Sequence, residues 1–390
     1  MAKRTYIGVS GKARKIKKMY VGVSGKARKI KKAYIGVAGK ARPFWGDGKI
    51  SSFGEVSPLK EARTLAAGEY VSDYLIIAGG SRRHNVTLGS DPKSAVDAYN
   101  KNFVKQEVAD LVEKKASSTP AGILNKTAIF FGGTNGYDSN NGTIGSSKID
   151  TYDENLVHQY LDTPDSSKLD GQGGGRAGAS AIFAAGFDGW SSSVVYMYTE
   201  GMVLTRLESW ESGGQETGAS TGKYFIMPRT GDPSREGAAW DETGVRRNIP
   251  PFPARKRSYT SVGMEGKAVF AGGYWNGPLS AVYAYTDNLL VQSWTNLQNP
   301  ALNCGGVSLG TFAVFAGGFK SDGNLAEPSR MADTVTAYSS AGVQTIMDPW
   351  SYKSIQSAGA GVAEAGILAG GYGGTTDSDV LAKVQAYIIE

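Results

Sequence analysis

An internal repeat constrains this chain more than any other feature. Short runs rich in Ile, Leu, Phe, Val and Ala end in a pair of small residues at LIIAGG (Gly79-Gly80), IFFGG (Gly132-Gly133), IFAAG (Ala185-Gly186), VFAGG (Gly272-Gly273), VFAGG (Gly317-Gly318) and ILAGG (Gly370-Gly371). The gap between Gly186 and Gly273 is double length. YFIMPR lies midway through it, with Pro228 and Arg229 in the Gly-Gly place. Seven copies result, spaced 53, 53, 43, 44, 45 and 53 residues apart. A period of this size marks an array of one supersecondary unit, each copy burying its apolar face against its neighbours.

An aromatic residue follows each run: Tyr99, Tyr152, Tyr198, Trp240, Tyr285, Tyr338 and Tyr387. In the first six copies the residues five and nine positions later are both apolar: Val104/Val108, Val157/Leu161, Val203/Leu207, Val245/Ile249, Leu290/Trp294 and Val343/Met347. Offsets of five and nine share parity, so on an extended strand both side chains point to one face. The aromatic strand and this strand make a hairpin, and small-residue segments upstream, such as GGGRAGA or SVGMEG, supply one strand more. Four antiparallel strands per copy, seven times over, predict an all-β, seven-bladed β-propeller over 43–390. The Gly-Gly pairs end the second strands, where close approach or left-handed backbone favours glycine. They form no phosphate loop, because no G-x-G-x-x-G or G-x-x-x-x-G-K-[ST] pattern joins a strand to a helix. The last copy stops three residues past Tyr387, one strand short, while about 49–57 precede the first copy unassigned. That segment is expected to complete the last blade and seal the sheet edges.

A strand ending in Gly-Gly, a variable loop and an aromatic strand resemble the Kelch repeat, over about residues 49–390. Kelch blades usually carry Trp on the last strand, and only Trp294 stands there, so the resemblance is to a divergent phage and bacterial branch. Copper oxidases built on Kelch propellers need paired Tyr and His ligands and a Tyr-Cys crosslink. Here the two histidines, His84 and His158, lie in different copies and Cys304 sits in an inner-strand segment, CGGVSLG, as a small core residue. No S-x-D-x-G-x-x-W box of the sialidase kind is present. One cysteine and two histidines leave no disulfide and no zinc set. DSNNGT (138–143) has oxygen donors at alternate positions without a closing Glu, and is expected to be a turn-rich loop, not a calcium site. The expectation is a protein that is not an enzyme, with no cofactor and no metal.

From the second Gly-Gly position to the aromatic the copies count 19, 19, 12, 11, 12, 20 and 16 residues. Blades 1, 2, 6 and 7 therefore carry long loops between second and third strands, all leaving one face and adjacent round a closed ring. The candidate ligand-binding residues are on these loops: Arg82, Arg83, His84, Tyr137, Asp138, Lys320, Asp322 and Tyr372, with Trp190, Tyr274 and Trp275 on shorter ones. Aromatic rings beside hydrogen-bonding groups suit sugar or protein recognition. The aromatic directly after Gly-Gly (Phe187, Tyr274, Phe319, Tyr372) also reads as a repeat position packed on the next blade.

The formal charge of +6 divides unevenly. Residues 1–42 hold 14 of the 42 Lys and Arg and no Asp or Glu, leaving 28 bases against 36 acids, a net of −8, in the rest. The basic segment is itself a 14-residue repeat, YIGVSGKARKIKK from Tyr6, YVGVSGKARKIKK from Tyr20 and YIGVAGKAR from Tyr34. Turn dipeptides between an apolar and a basic strand predict three small β-hairpins, too small to be stable alone and therefore expected to dock on an acidic surface. Tyr6, Lys12, Arg14, Tyr20, Lys26, Arg28, Tyr34, Lys40 and Arg42 are the expected docking residues. A solvated tail and a nucleic-acid-binding strip are the competing readings, the latter lacking an aromatic stacking set or a groove-reading helix. The arm resembles YVGV-x-GKARK-type repeats of tail-associated proteins of bacteriophages that infect Gram-positive bacteria. That resemblance implies a virion protein of tail, baseplate or neck, made in the host cytoplasm and present in symmetric copies. Its arm would grip other virion proteins and its propeller would bind a host cell-wall glycan or another virion protein, with no membrane role. The alternatives are a neck, tail or capsid-decoration protein without a receptor role, and a cellular Kelch scaffold whose arm binds nucleic acid.

Overall fold

A computed structural model describes residues 6–9, 12–15, 20–23, 26–29, 33–37, 40–45, 48–82, 91–123, 126–138, 142–162, 173–188, 190–208, 217–229, 236–320, 328–374 and 376–390. Seven four-stranded antiparallel sheets follow one another along the chain. Blade 1 spans 67–106, blade 2 119–162, blade 3 173–207, blade 4 219–249, blade 5 260–294 and blade 6 305–347. Blade 7 takes its first three strands from 358–389 and its outermost from Ile50–Glu55, which pairs with Val384–Ile389 from Ile50↔Ile389 to Glu55↔Gln385. Lys49 and Glu390 exchange two backbone hydrogen bonds beside that ladder. Consecutive innermost strands touch, and that of blade 7 touches that of blade 1, so the fold is a closed seven-bladed β-propeller. Before it, Tyr6–Val9 pairs with Lys12–Lys15, Tyr20–Val23 with Lys26–Lys29 and Ala33–Val37 with Lys40–Trp45, each an antiparallel hairpin.

The repeats have this pattern because each blade is sandwiched between two others. Second strands such as Phe312–Ala316 and Ala365–Ala369 are buried along their whole length, so they read as unbroken apolar runs. Outermost strands such as Leu204–Leu207 and Gln344–Met347 are half-buried at their ends and exposed between. Seven apolar clusters fill the seven blade interfaces, for example Leu75 and Ile77 of blade 1 against Ile367 and Val384 of blade 7. All seven landmark aromatics are at most 2% exposed. The hydroxyls of Tyr99, Tyr152, Tyr285 and Tyr338 donate to Ser57 O (2.8 Å), Ala109 O (3.0 Å), Pro250 O (2.8 Å) and Thr295 O (2.8 Å), just past the outermost strand of the blade before. Each of these four tyrosines thus fills its own interface and fastens the neighbouring blade, a bond contributing about 1 kcal/mol.

The apolar pairs divide differently from their shared parity. The first member is exposed in all six blades: Val104 57%, Val157 52%, Val203 61%, Val245 50%, Leu290 59% and Val343 62%. Each follows a left-handed turn residue, Phe103, Leu156, Met202, Gly244, Leu289 or Gly342. Asn100, Asp153, Asp241, Thr286 and Ser339 close the turns by accepting the N–H of the exposed residue four positions on. Turn geometry places this aliphatic at the lip of the hairpin, beyond the neighbouring blade.

Candidate recognition face

Both ends of the second-to-third-strand loops lie on the face where the Gly-Gly pairs sit. Each pair has positive φ at both residues, for example +67 at Gly272 and +107 at Gly273. A Cβ on Gly272 would stand 2.1 Å from Ala301 O. The second glycine donates to a carbonyl in the segment leading into the next blade: Gly80 to Lys115 (2.9 Å), Gly273 to Ala301 (2.8 Å), Gly318 to Ser354 (2.9 Å) and Gly371 to Arg63 (2.9 Å). The loops of blades 1, 5, 6 and 7 therefore spring from latches between two blades, which give that part of the face a rigid base.

The candidate residues separate into three groups on this platform. Arg82 is exposed, at the root of the blade 1 loop, with its N–H donating to Asp91 O (3.1 Å). Trp275 is half-buried with the Arg255 guanidinium 5.2 Å over its ring, and Lys320 is half-buried, its N–H bound to Arg330 O (2.8 Å). Tyr372 is 1% exposed, and Phe319 2%; they pack with Leu302, Met331, Ile355 and Val380, with Tyr274 against the cluster's side. Tyr372 therefore belongs to the core and is withdrawn from the ligand-binding set. Tyr274 bridges Arg257 and Pro278 through its backbone and lies 5.5 Å under the Arg257 guanidinium. Tyr137 and Asp138 are on an added hairpin of blade 2, Thr134–Asp138 paired with Gly142–Gly145, and Trp190 begins the third strand of blade 3, paired with Asp188. Arg83, His84 and Asp322 lie outside the described residues, as do the side chains of Tyr137, Asp138, Trp190 and the arm residues. Two cavities among the described residues, of ≈ 10 and ≈ 110 Å³, are small beside the roughly 300 Å³ at the lower end of small-molecule pockets.

Three buried cations escaped the sequence reading. Arg63, Lys115 and Lys256 occupy one repeat position, two residues before the left-handed Leu65, Ser117 and Ser258 that lead into blades 1, 2 and 5. Arg63 donates to Ile77 O (3.0 Å) and Asp97 Oδ2 (2.6 Å), both side chains wholly buried. Lys115 lies 2.7 Å from Asp150 Oδ2, and Asp150 Oδ1 is 2.7 Å from His158 Nε2. Burial lowers the Lys115 amine's pKa, and the Asp150 charge opposes that shift. Lys256 has no carboxylate: it donates to Phe270 O (3.1 Å) and Ala281 O (3.4 Å) among the rings of Phe252, Tyr259 and Tyr283, 4.8–5.3 Å away. Burial brings it down to about 7. The available signal was a Lys or Arg four residues before the inner strands of blades 1, 2 and 5.

Innermost strands alternate buried residues with residues facing the central axis. The axial set is mostly small, including Gly68, Gly174, Gly306 and Gly359; a Cβ on Gly359 would stand 1.9 Å from Gly306 O, so glycine allows adjacent strands to close in. Tyr70 of blade 1 and Arg176 of blade 3 break the pattern. The guanidinium lies 4.5 Å over the Tyr70 ring and 3.9 Å from Glu69, and Arg176 Nε is buried without a hydrogen bond. Burial pushes the Glu69 carboxyl up against the opposing pull of Arg176. Cys304 is 6% exposed, donates to Thr260 Oγ1 (3.2 Å), and is pushed up by burial to about 11, which leaves it a weak nucleophile. Among the described residues no group of three or more His, Cys, Asp or Glu side chains is placed to hold a metal ion.

No family model matches the chain, and no curated protein matches it. Solved structures are similar in fold. A fungal alcohol oxidase of the AA5 family in complex with copper is similar at 14% identity and a TM-score of 0.60, over 88% of this chain and 76% of that one. The structure of YjhT is similar at 12% identity and a TM-score of 0.52, over 84% of this chain and 96% of that one. At these identities the likeness is one of fold.

Proposed function

We propose that this chain is a non-enzymatic binding component of a bacteriophage particle, of the Kelch-repeat type, located at tail, baseplate or neck. Its basic hairpin arm grips acidic surfaces of other particle proteins, and the Gly-Gly face of the propeller engages a host cell-wall glycan or another particle protein. The observation that carries the reading is the division of the molecule into an arm of 14 bases without an acid and a body of net −8, the arm being three copies of a phage-type repeat. Loops of unequal length rising from the Gly-Gly end of the blades support recognition on an open face. Arg82, Trp275 with Arg255, and Lys320 are the described side chains that would contact the ligand.

Quantitative mass spectrometry of purified particles from the source strain tests the particle assignment. A small symmetric copy number relative to a ring-forming tail protein is the expected result, and absence from particles overturns it. Binding of the fluorescent full chain to host cells, compared with Trp275→Ala, tests the receptor role; at least a several-fold loss in the variant is expected. No cell binding by either protein would leave a particle component without a receptor role. Binding of unrelated DNA that falls steeply with salt would support a cellular scaffold instead.

A further inference from the structure

We propose that blade 2 carries an intramolecular isopeptide bond between the side chains of Lys115 and Asp150, formed by the folded protein itself. Of the described cations at the shared lead-in position, Arg63 faces Asp97 and Lys256 faces Tyr283, so Lys115 is the one that brings a primary amine to a carboxyl group. Lys115 and Asp150 are both 0% exposed, with Nζ 2.7 Å from Oδ2. Nζ donates to Lys148 O (3.0 Å) and Phe130 O (3.3 Å), and its third contact is Oδ2, which no other group bonds among the described residues. With two N–H groups engaged by carbonyls, the remaining tetrahedral position of nitrogen, the lone pair of the neutral amine, is left for the carboxyl group. Oδ1 accepts from Val112 N–H (2.8 Å) and lies 2.7 Å from His158 Nε2, two groups that stabilise negative charge developing on that oxygen. His158 is held by stacking on Tyr152, with ring centroids 5.0 Å apart.

In the reaction one proton passes from the ammonium to the carboxylate, giving neutral amine and carboxylic acid. Nζ then attacks Cγ of Asp150. The Nζ–Cγ bond forms, the Cγ–Oδ2 bond breaks, and Oδ2 departs as water. Of the three protons of the original ammonium, one remains on the amide nitrogen and two leave with that water, so no oxidant, reductant or further reactant is needed. The fixed contact supplies the proximity that raises the rate of such a condensation. The product ties the segment entering blade 2 to that blade's third strand.

Intact mass of the purified full chain, measured after denaturation, tests the bond. The expected mass is lower than that of the sequence by one water. Proteolytic mapping should return a branched peptide joining Lys115 to Asp150. Lys115→Arg should have its full sequence mass and run more slowly on a denaturing gel, and Asp150→Asn should close the same bond with loss of ammonia. A wild-type chain of full mass overturns the proposal without reference to any variant. So does a missing water that maps to succinimide at an Asp-Gly step, such as 47–48, 170–171, 188–189 or 322–323, instead of the 115–150 pair.

Discussion

Lys256 imposes a pH dependence on stability that its own removal should abolish. Its side chain is 1% exposed, and its ammonium has two carbonyls and three aromatic rings around it but no carboxylate. Burial brings its pKa down to about 7 from an ordinary 10.5. Between these values the unfolded chain binds the proton and the folded one does not, so stability rises with pH across the window from 7 to 10.5. The linkage relation gives a cost of about 4 kcal/mol at pH 7 and about 1 kcal/mol at pH 9.5, a difference of about 3 kcal/mol. Lys256→Met lacks this contribution and instead removes the amine's bonds to Phe270 O and Ala281 O, the latter still accepting from Gly272 N–H (3.1 Å), a change that does not vary with pH. Equilibrium urea unfolding of both proteins at pH 7 and pH 9.5 should show the wild-type chain gaining about 3 kcal/mol on the variant between the two conditions. The comparison stops at 9.5 because buried tyrosines such as Tyr198, pushed up to about 12, lower stability once pH exceeds their unfolded value of 10.0. An offset between the two proteins that is the same at both pH values would refute the reasoning, since Lys256 would then have the same protonation in folded and unfolded chains.

Three further expectations follow from the ring. Gly272→Ala combines a φ of +67 with a Cβ 2.1 Å from Ala301 O, so it should cost more than about 2 kcal/mol and lower the thermal midpoint by several degrees; an unchanged midpoint would refute the latch. Ile50→Asp puts a charge at a position 4% exposed opposite Ile389, and amide exchange should accelerate in Val384–Ile389 ahead of the third strands of other blades. Equal acceleration in every blade would show that the seam is no weaker than the rest. Tyr285→Phe removes the bond to Pro250 O without altering the packing, and should cost about 1 kcal/mol in urea unfolding, with a loss below a few tenths counting against that bond as a fastener.

The fold was legible because its constraints recur. Second strands buried on both faces give runs that no solvent-facing strand would have, and left-handed backbone at their ends demands glycine, so seven copies of one pattern stand out even where Pro228 and Arg229 replace the pair. The landmark aromatics were visible as a period, whereas the reason for them was not: a hydroxyl bound to a carbonyl some 35 to 45 residues earlier leaves no local trace. The ligand-facing set was less legible. Loop length identified the face, but an aromatic after Gly-Gly has the same sequence signature whether it points outward or, like Tyr372 and Phe319, fills the space beneath the loops. Glu69 and Arg176 meet only because blades 1 and 3 flank a glycine, Gly122, on the strand between them.

The lead-in position shows how a repeat can hold chemistry that its period conceals. The ring needs the carbonyl of this residue, which receives the Gly-Gly N–H of the preceding blade in Lys115, Ala301, Ser354 and Arg63 alike. It does not need the side chain. Arginine with Asp97, lysine with Asp150, a caged lysine, alanine and serine therefore occupy the same place in different blades. The position across from it on the third strand varies in step: Asp97, Asp150, Tyr283, Thr336 and Gln385. A buried cation is retained where a carboxylate or three rings meet it, and is replaced by a small residue where Thr or Gln stands opposite. Two positions that vary together while the backbone between them stays fixed make a site in which charge can be exchanged blade by blade without disturbing closure. That freedom lets blade 2 set a lysine against an acid where blade 1 sets an arginine and blade 5 a lysine among rings.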